Sequence, residues 1–189
     1  MTFFRTVDPS VEPVTLVDVK ANLRLDHDSE DTLLTGFIRA ARDEVENSTG
    51  LALIDQSWRL ALDRWPQNGC ALIAKHPVKQ VLSVTTYGPD GEASVLAPDS
   101  YHLDAMSRPA RLHLSSETAP LRAMNGIEID FLAGYGEAGT DVPDLLRRAI
   151  QVLVAHWFEF RAAFGPDEQP VAFPLGYQRM IAGYRARRL

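Results

Sequence analysis

Cysteine is almost missing from the 189-residue chain: Cys70 stands alone, which excludes an internal disulfide and any zinc site built on several thiolates. Long apolar runs are missing too. No stretch of about 18 consecutive apolar residues occurs, and the opening MTFFRTVDPS lacks the apolar core of a secretory leader. These absences lead to the expectation of a soluble protein kept in the cytoplasm. There is no excess of basic charge. The 19 Lys and Arg face 25 Asp and Glu, giving a formal net charge of −6, which argues against a reader of nucleic-acid sequence. Internal repeats and low-complexity tracts are absent.

What is there suits a globular protein, with 46% hydrophobic and 23% charged residues. A chain of this length buries roughly 70% of its unfolded surface, enough for one or two domains without metal or disulfide staples. The charge is uneven. Residues 1–50 carry a net −5, residues 51–141 a net −4 and residues 142–189 a net +3, with Arg185, Arg187 and Arg188 crowded at the end. An acidic body with a basic tail suggests that the tail has a partner of its own.

Both ends of the chain read as helical. Thr15 is placed as an N-cap with Asp18 three residues on, ahead of Leu16, Val19 and Leu23 at helical spacing. After a polar break at residues 26–31, Leu33, Leu34, Phe37, Ile38, Ala41 and Val45 form a stripe that predicts a helix over 29–48, capped by Ser29 and stopped by Gly50. From Gln56 the period changes to two, with Trp58, Leu60 and Leu62 alternating against Ser57, Arg59 and Ala61. Further short strands are expected at 81–87, 93–96, 101–104, 111–114 and 127–132, the first two joined by the turn Gly88-Pro89-Asp90-Gly91. Pro143 then opens a long helix through about residue 164, with Leu145, Leu146, Ala149, Ile150, Leu153, Val154, Trp157 and Phe158 on its apolar face. A loop at 165–170 leads to a closing segment in which Leu175, Met180, Ile181 and Tyr184 are roughly helically spaced. Helices from both ends flanking an antiparallel β module make the class α+β. The organisation read from this is an N-terminal helical segment (1–55), a β module (56–141), a long helix completing the helical core (142–173) and a C-terminal tail (174–189).

Signals for chemistry are poor. Residues 134–139 spell a literal G-x-G-x-x-G after a strand, but a dinucleotide site needs the helix to open inside the motif, and here four residues including Pro143 intervene. Asp26, Asp28, Glu30 and Asp31 resemble a calcium loop until its register is counted: from Asp26, the sixth and twelfth positions are Asp31 and Phe37 instead of Gly and Glu. Acids at a helix start, facing its positive dipole end, are the simpler account. His27, His76, His102, His113 and His156 show no metal-ligand spacing, and no G-x-S-x-G or Cys–His signature appears. No catalytic, cofactor-binding or metal-binding residue is therefore assigned. The tail cluster Tyr184, Arg185, Arg187 and Arg188 reads either as a solvated basic helix end or as a docking segment, since Tyr and Arg anchor interfaces.

The order of segments carries a further signal. The series is EDTLLTGFIRAARDEVENSTGLALIDQSW (30–58), LDRWP (62–66), HPVKQVLSVTTYGPDG (76–91), YHLD (101–104), RPARL (108–112), FLAGYG (131–136), VPDLLRRAIQVLVAHWFEFR (142–161) and YRARR (184–188). In this order the chain resembles the head–tail connector (adaptor) proteins of tailed phages and prophage-like gene transfer agents over nearly its whole length. The resemblance implies a structural virion protein, not an enzyme, without cofactor. It implies a homo-oligomeric ring, usually twelvefold, that sits under the portal protein, extends the DNA channel and receives the next neck protein (stopper) or the tail. DNA would pass through without sequence-specific binding, no membrane would be involved, and the protein would move from host cytoplasm to the virion neck during assembly. Carried onto this sequence, the portal contacts are Tyr177, Arg179, Tyr184, Arg185, Arg187 and Arg188. An acidic wall would keep phosphates from sticking, so Asp26, Asp28, Glu30 and Asp31, or else acids of the β module, are expected to line or approach the channel. The rival from another class is a small-ligand-binding protein or enzyme that uses the glycine loop at 134–139. A stopper or tail terminator fits less well, because those are chiefly built of β-strands.

Overall fold

Thr15 opens the first helix as its spacing requires. Its hydroxyl accepts from the Asp18 backbone N–H at 3.1 Å, while the Asp18 carboxylate accepts from the Thr15 N–H at 3.3 Å. The structure, a computed structural model, describes residues 2–115, 121–160 and 173–185. Helix α1 (Leu16–Leu23) ends on Arg24 in the left-handed conformation, with φ of 57°. Helix α2 (Asp31–Thr49) ends on Gly50, also left-handed at φ of 75°, where a glycine carries no Cβ penalty. Its start differs from expectation. Glu30 occupies the cap position but its side chain does not cap the helix, and the Ser29 hydroxyl pairs with His27 Nδ1 at 2.8 Å.

Helix α3 (Asp144–Glu159) buries Leu146, Ala149, Ile150, Leu153 and Val154 of the expected apolar face, while Trp157 and Phe158 are half-buried and Leu145 is exposed. Helix α4 (Leu175–Ala182) follows. In this unit, Val11–Ile54 with Gly136–Leu189, α2 packs on α3, and α1 and α4 each touch both. Arg42 ties the unit's first segment to α2. It is buried, it donates to Glu12 Oε2 at 2.8 Å, and it lies 3.6 Å from the buried Glu46. Glu46 in turn accepts from the Leu53 backbone N–H at 2.8 Å, holding the apolar run from Leu51 to Ile54 against the helix. A buried acid is stable here because cation and backbone donor both face it.

The second unit is Met1–Ser10 with Asp55–Tyr135. It holds two antiparallel sheets. One has the order β1 (Thr2–Val7), β2 (Gln56–Leu62), β8 (Ile127–Ala133), β4 (Val78–Tyr87), β5 (Ala93–Val95). The other has the order β3 (Cys70–Ile73), β7 (Ala110–Leu114), β6 (Tyr101–Asp104). Trp58, Leu60, Leu62, Ile127, Ile129 and Phe131 alternate inward on β2 and β8, as the period-two pattern dictates.

The fold is α+β, with helices from both ends of the chain packed together and an antiparallel β module inserted between them in sequence. The segment 1–55, expected to be helical, nevertheless starts with a strand. Thr2–Val7 pairs with β2, and Phe3 stacks on Trp58 at 5.0 Å. Adjacent Phe3 and Phe4 break the alternation that would have signalled it. Strand β3 was equally hidden, because Cys70-Ala71-Leu72-Ile73 is apolar on both faces. Within the described residues the long helix ends at Glu159; the expected continuation to residue 164 lies outside them.

Candidate interaction surfaces

Tyr177 is where the structure departs most from the sequence reading. Helical spacing puts Tyr177 and Ile181 on one face of α4, and both are fully buried. The Tyr177 ring stacks on Phe173 with 5.3 Å between centroids and 17° between planes. Burial pushes its phenol pKa up, Ser48 acting against that shift and Glu44 adding to it. Tyr177 is therefore a core residue of the helical unit, not a surface contact. The other expected contacts divide. Arg179 and Arg185 are exposed, the latter donating to Gln178 Oε1, while Tyr184 is half-buried. Arg187 and Arg188 lie outside the described residues.

The acidic break between α1 and α2 is partly neutralised from within. Lys20 Nζ lies 2.5 Å from Asp28 Oδ1 and 2.9 Å from Asp31 Oδ1. Hydrogen bonding to Lys20 holds the Asp28 carboxyl below its usual range, and the lysine is raised in return. Asp26 and Asp28 are exposed, whereas Glu30 and Asp31 are half-buried. The four acids thus lie on the loop and at the first residue of α2, and Asp28 and Asp31 share one cation.

The glycine loop is filled by its own chain. A Cβ on Gly136 would lie 2.0 Å from Asp141 Oδ2, and one on Gly139 would lie 2.8 Å from the Pro13 carbonyl oxygen. A Cβ on Gly134 would meet the Asp55 backbone at 2.5 Å. Asp141 also accepts from the Ala138 N–H at 3.0 Å. A pyrophosphate would need to displace that carboxylate and would then face like charge, and α3 starts only at Asp144. These glycines serve close packing.

Sequence reasoning missed a charged ladder on the outer face of the five-stranded sheet. Arg59 grips Asp130 through two bonds, Nε to Oδ1 at 2.7 Å and Nη2 to Oδ2 at 2.8 Å, and Nη1 lies 2.8 Å from Glu128. The Tyr87 hydroxyl donates to Glu128 at 2.9 Å, and the Arg122 guanidinium lies 4.0 Å above the Tyr87 ring. Alternating Glu128 and Asp130 between Ile127, Ile129 and Phe131 was the available signal; Arg59 sits at the matching position of β2. Among the described residues no three His, Cys, Asp or Glu side chains gather where they could hold a metal ion. No described helix is long and apolar enough to cross a membrane.

Residues 13–85 match the model of the family described as phage gp6-like head-tail connector proteins. Three solved structures align with the entire chain and with 97% of their own. A chain in the neck of an empty gene transfer agent (GTA) particle, computed with C6 symmetry, is 25% identical with a TM-score of 0.82. One in the virion of a native GTA particle is 26% identical with a TM-score of 0.82. One in the neck of a native GTA particle, computed with C12 symmetry, is 26% identical with a TM-score of 0.74. No curated protein matches the chain.

Proposed function

We propose that this chain is a head–tail connector, the structural adaptor in the neck of a tailed phage or gene transfer agent. The observation that carries the reading is the end-to-end likeness to chains in GTA necks at 25–26% identity, joined to the connector-family match over residues 13–85. The glycine loop supplies nothing for the rival, because the space above it belongs to Asp141 and Pro13.

On this reading copies of the chain form a ring, dodecameric in the finished neck, beneath a portal protein ring, and a stopper or the tail docks on the far side. The protein assembles in the host cytoplasm and ends in the particle neck. It does no chemistry of its own. DNA passes through the ring without sequence-specific binding, and Asp26, Asp28, Glu30 and Asp31 repel it from the wall. The portal contact falls to Arg179, Tyr184, Arg185, Arg187 and Arg188; a buried Tyr177 positions the helix that carries the first of these. Guanidinium groups suit such docking because their planar fork pairs with carboxylates on a partner.

Electron microscopy of a purified portal ring mixed with the full chain tests the reading. The expected image is an added ring of density under the portal. Bare portals at saturating protein, with a melting shift on adding nucleotide instead, would overturn it.

A further inference from the structure

The five-stranded sheet ends in two unlike edges, and one row of residues crosses it from end to end. Register puts Thr2 on β1 opposite Ala61, Ala61 opposite Glu128, Glu128 opposite Thr85, and Thr85 opposite Val95 on β5. Every neighbouring pair is antiparallel, so β1 and β5 run in the same direction.

The free backbone groups of the β5 edge can be assigned. The Leu96 N–H donates to the Val84 carbonyl at 2.8 Å, and the Gly88 N–H donates to the Glu92 carbonyl at 2.9 Å. These bonds flank the pairs Thr85–Val95 and Tyr87–Ala93, so Ser94 turns its N–H and C=O toward β4. Ala93 and Val95 direct theirs away from the sheet. All three β5 residues are exposed, Val95 at 67%, and on β1 Phe4 and Val7 are exposed at 44% and 58%. Neither strand carries the lysine or proline that commonly guards an edge against pairing. The β1–β2 register is regular over Thr2–Arg5 and shifts between Arg5 and Val7, so the regular part of β1 is its first four residues.

We infer that the β5 edge of one copy pairs with the β1 edge of the next, so that the sheet continues from subunit to subunit. The inference rests on the ring reading above and names its contact. Opposite edges of one sheet are two different surfaces, so their pairing is head-to-tail and closes into a ring when the rotation permits. The new pair is parallel. It brings the outward N–H and C=O of Val95 to β1 and sets the exposed Val95 side chain beside Thr2 of the next copy.

Cross-linking in assembled particles tests this. The full chain carries Thr2→Cys and Val95→Cys in a Cys70→Ser background, and a short bis-maleimide is added. A ladder of covalent multiples of the 21.0 kDa chain is expected from the double variant and not from either single cysteine. Necks that show the ring by electron microscopy but give no ladder overturn the edge contact and leave the ring standing. Dimers from a single-cysteine chain, or a cross-link to a different protein, also overturn it. Necks without a ring of this chain bring down the ring reading itself. A second variant, Val95→Pro, removes an outward N–H without touching the β4 ladder. Folded Val95→Pro should assemble at least tenfold fewer rings, and a wild-type yield would sink the inference.

Discussion

Tyr177 and Phe173 stack face to face at 5.3 Å, and Tyr177 is sealed from solvent while Arg179, two residues on in the same helix, is exposed. Buried and exposed positions therefore share one short helix. Truncating the buried ring with Tyr177→Ala should cost about 3–5 kcal/mol, as removal of other large core side chains does. Arg179→Ala should stay within about 0.5 kcal/mol of wild type. Denaturant unfolding of the two variants checks the contrast. Equal stability of both would return Tyr177 to the surface.

The same side chain gives the protein an alkaline limit. Burial raises the Tyr177 phenol above its ordinary value, and the hydrogen bond to Glu128 raises Tyr87. Each raised tyrosine contributes stability that is complete below its unfolded pKa of about 10 and is lost as pH climbs through the higher folded value. Melting temperature should fall above pH 10. Tyr177→Phe should remove some of that fall and Tyr87→Phe a further share, which scans from pH 8 to 12 would read.

Arg59 and Asp130 pin β2 to β8 on the outer face of the sheet. With Arg59 still 33% exposed, water screens the pair, so Asp130→Asn should cost only about 1–2 kcal/mol, less than a fully buried pair. Arg59→Lys keeps the charge and loses the two-pronged geometry, and it should cost about as much. A double-mutant cycle in urea measures the coupling. A value indistinguishable from zero would make the pair incidental.

How much of the fold can be read from sequence follows from what each signal depends on. The Thr15–Asp18 box, the Gly50 stop and the alternation of residues 127–131 are local, and all three stand in the structure. Strand β1 was not readable, since its reason to exist is Trp58 and the rest of β2, more than fifty residues away. Ser29 made a plausible cap, but His27 competes for its hydroxyl and the helix starts two residues later. Tyr177 misled for a different cause. The resemblance assigns the whole closing segment to the portal, and only packing against α2 and α3 turns this ring inward. The acids at 26, 28, 30 and 31 were visible as a cluster, whereas their sharing of Lys20 required the chain to fold back.

Gly136 offers a direct probe of the loop that imitates a nucleotide site. An alanine there would put its methyl 2.0 Å from Asp141 Oδ2, so Gly136→Ala should destabilise the helical unit by about 1–3 kcal/mol through overpacking. Shortening the neighbour in Gly136→Ala with Asp141→Ser should recover some of the loss. If the single variant melts with wild type, the loop has room that its packing denies.

On the connector reading proposed above, the basic end serves docking and not folding. Arg185 is exposed and donates to Gln178 on the same short segment, so its side chain adds little to the helical core. Deleting residues 185–189 removes Arg185, Arg187 and Arg188 at once and should leave the melting temperature within about 2 °C of wild type, as for surface changes of a few tenths of a kcal/mol. Portal binding should weaken at least tenfold, since a surface contact with a partner is carried by few residues and Arg is prominent among them. Adding salt should weaken the intact chain's binding toward that of the truncated one, because exposed charge pairs are screened. Pull-down of portal rings at two ionic strengths reads both effects together. Truncated protein captured at full strength would detach the arginines from the portal and leave the tail as no more than a solvated helix end.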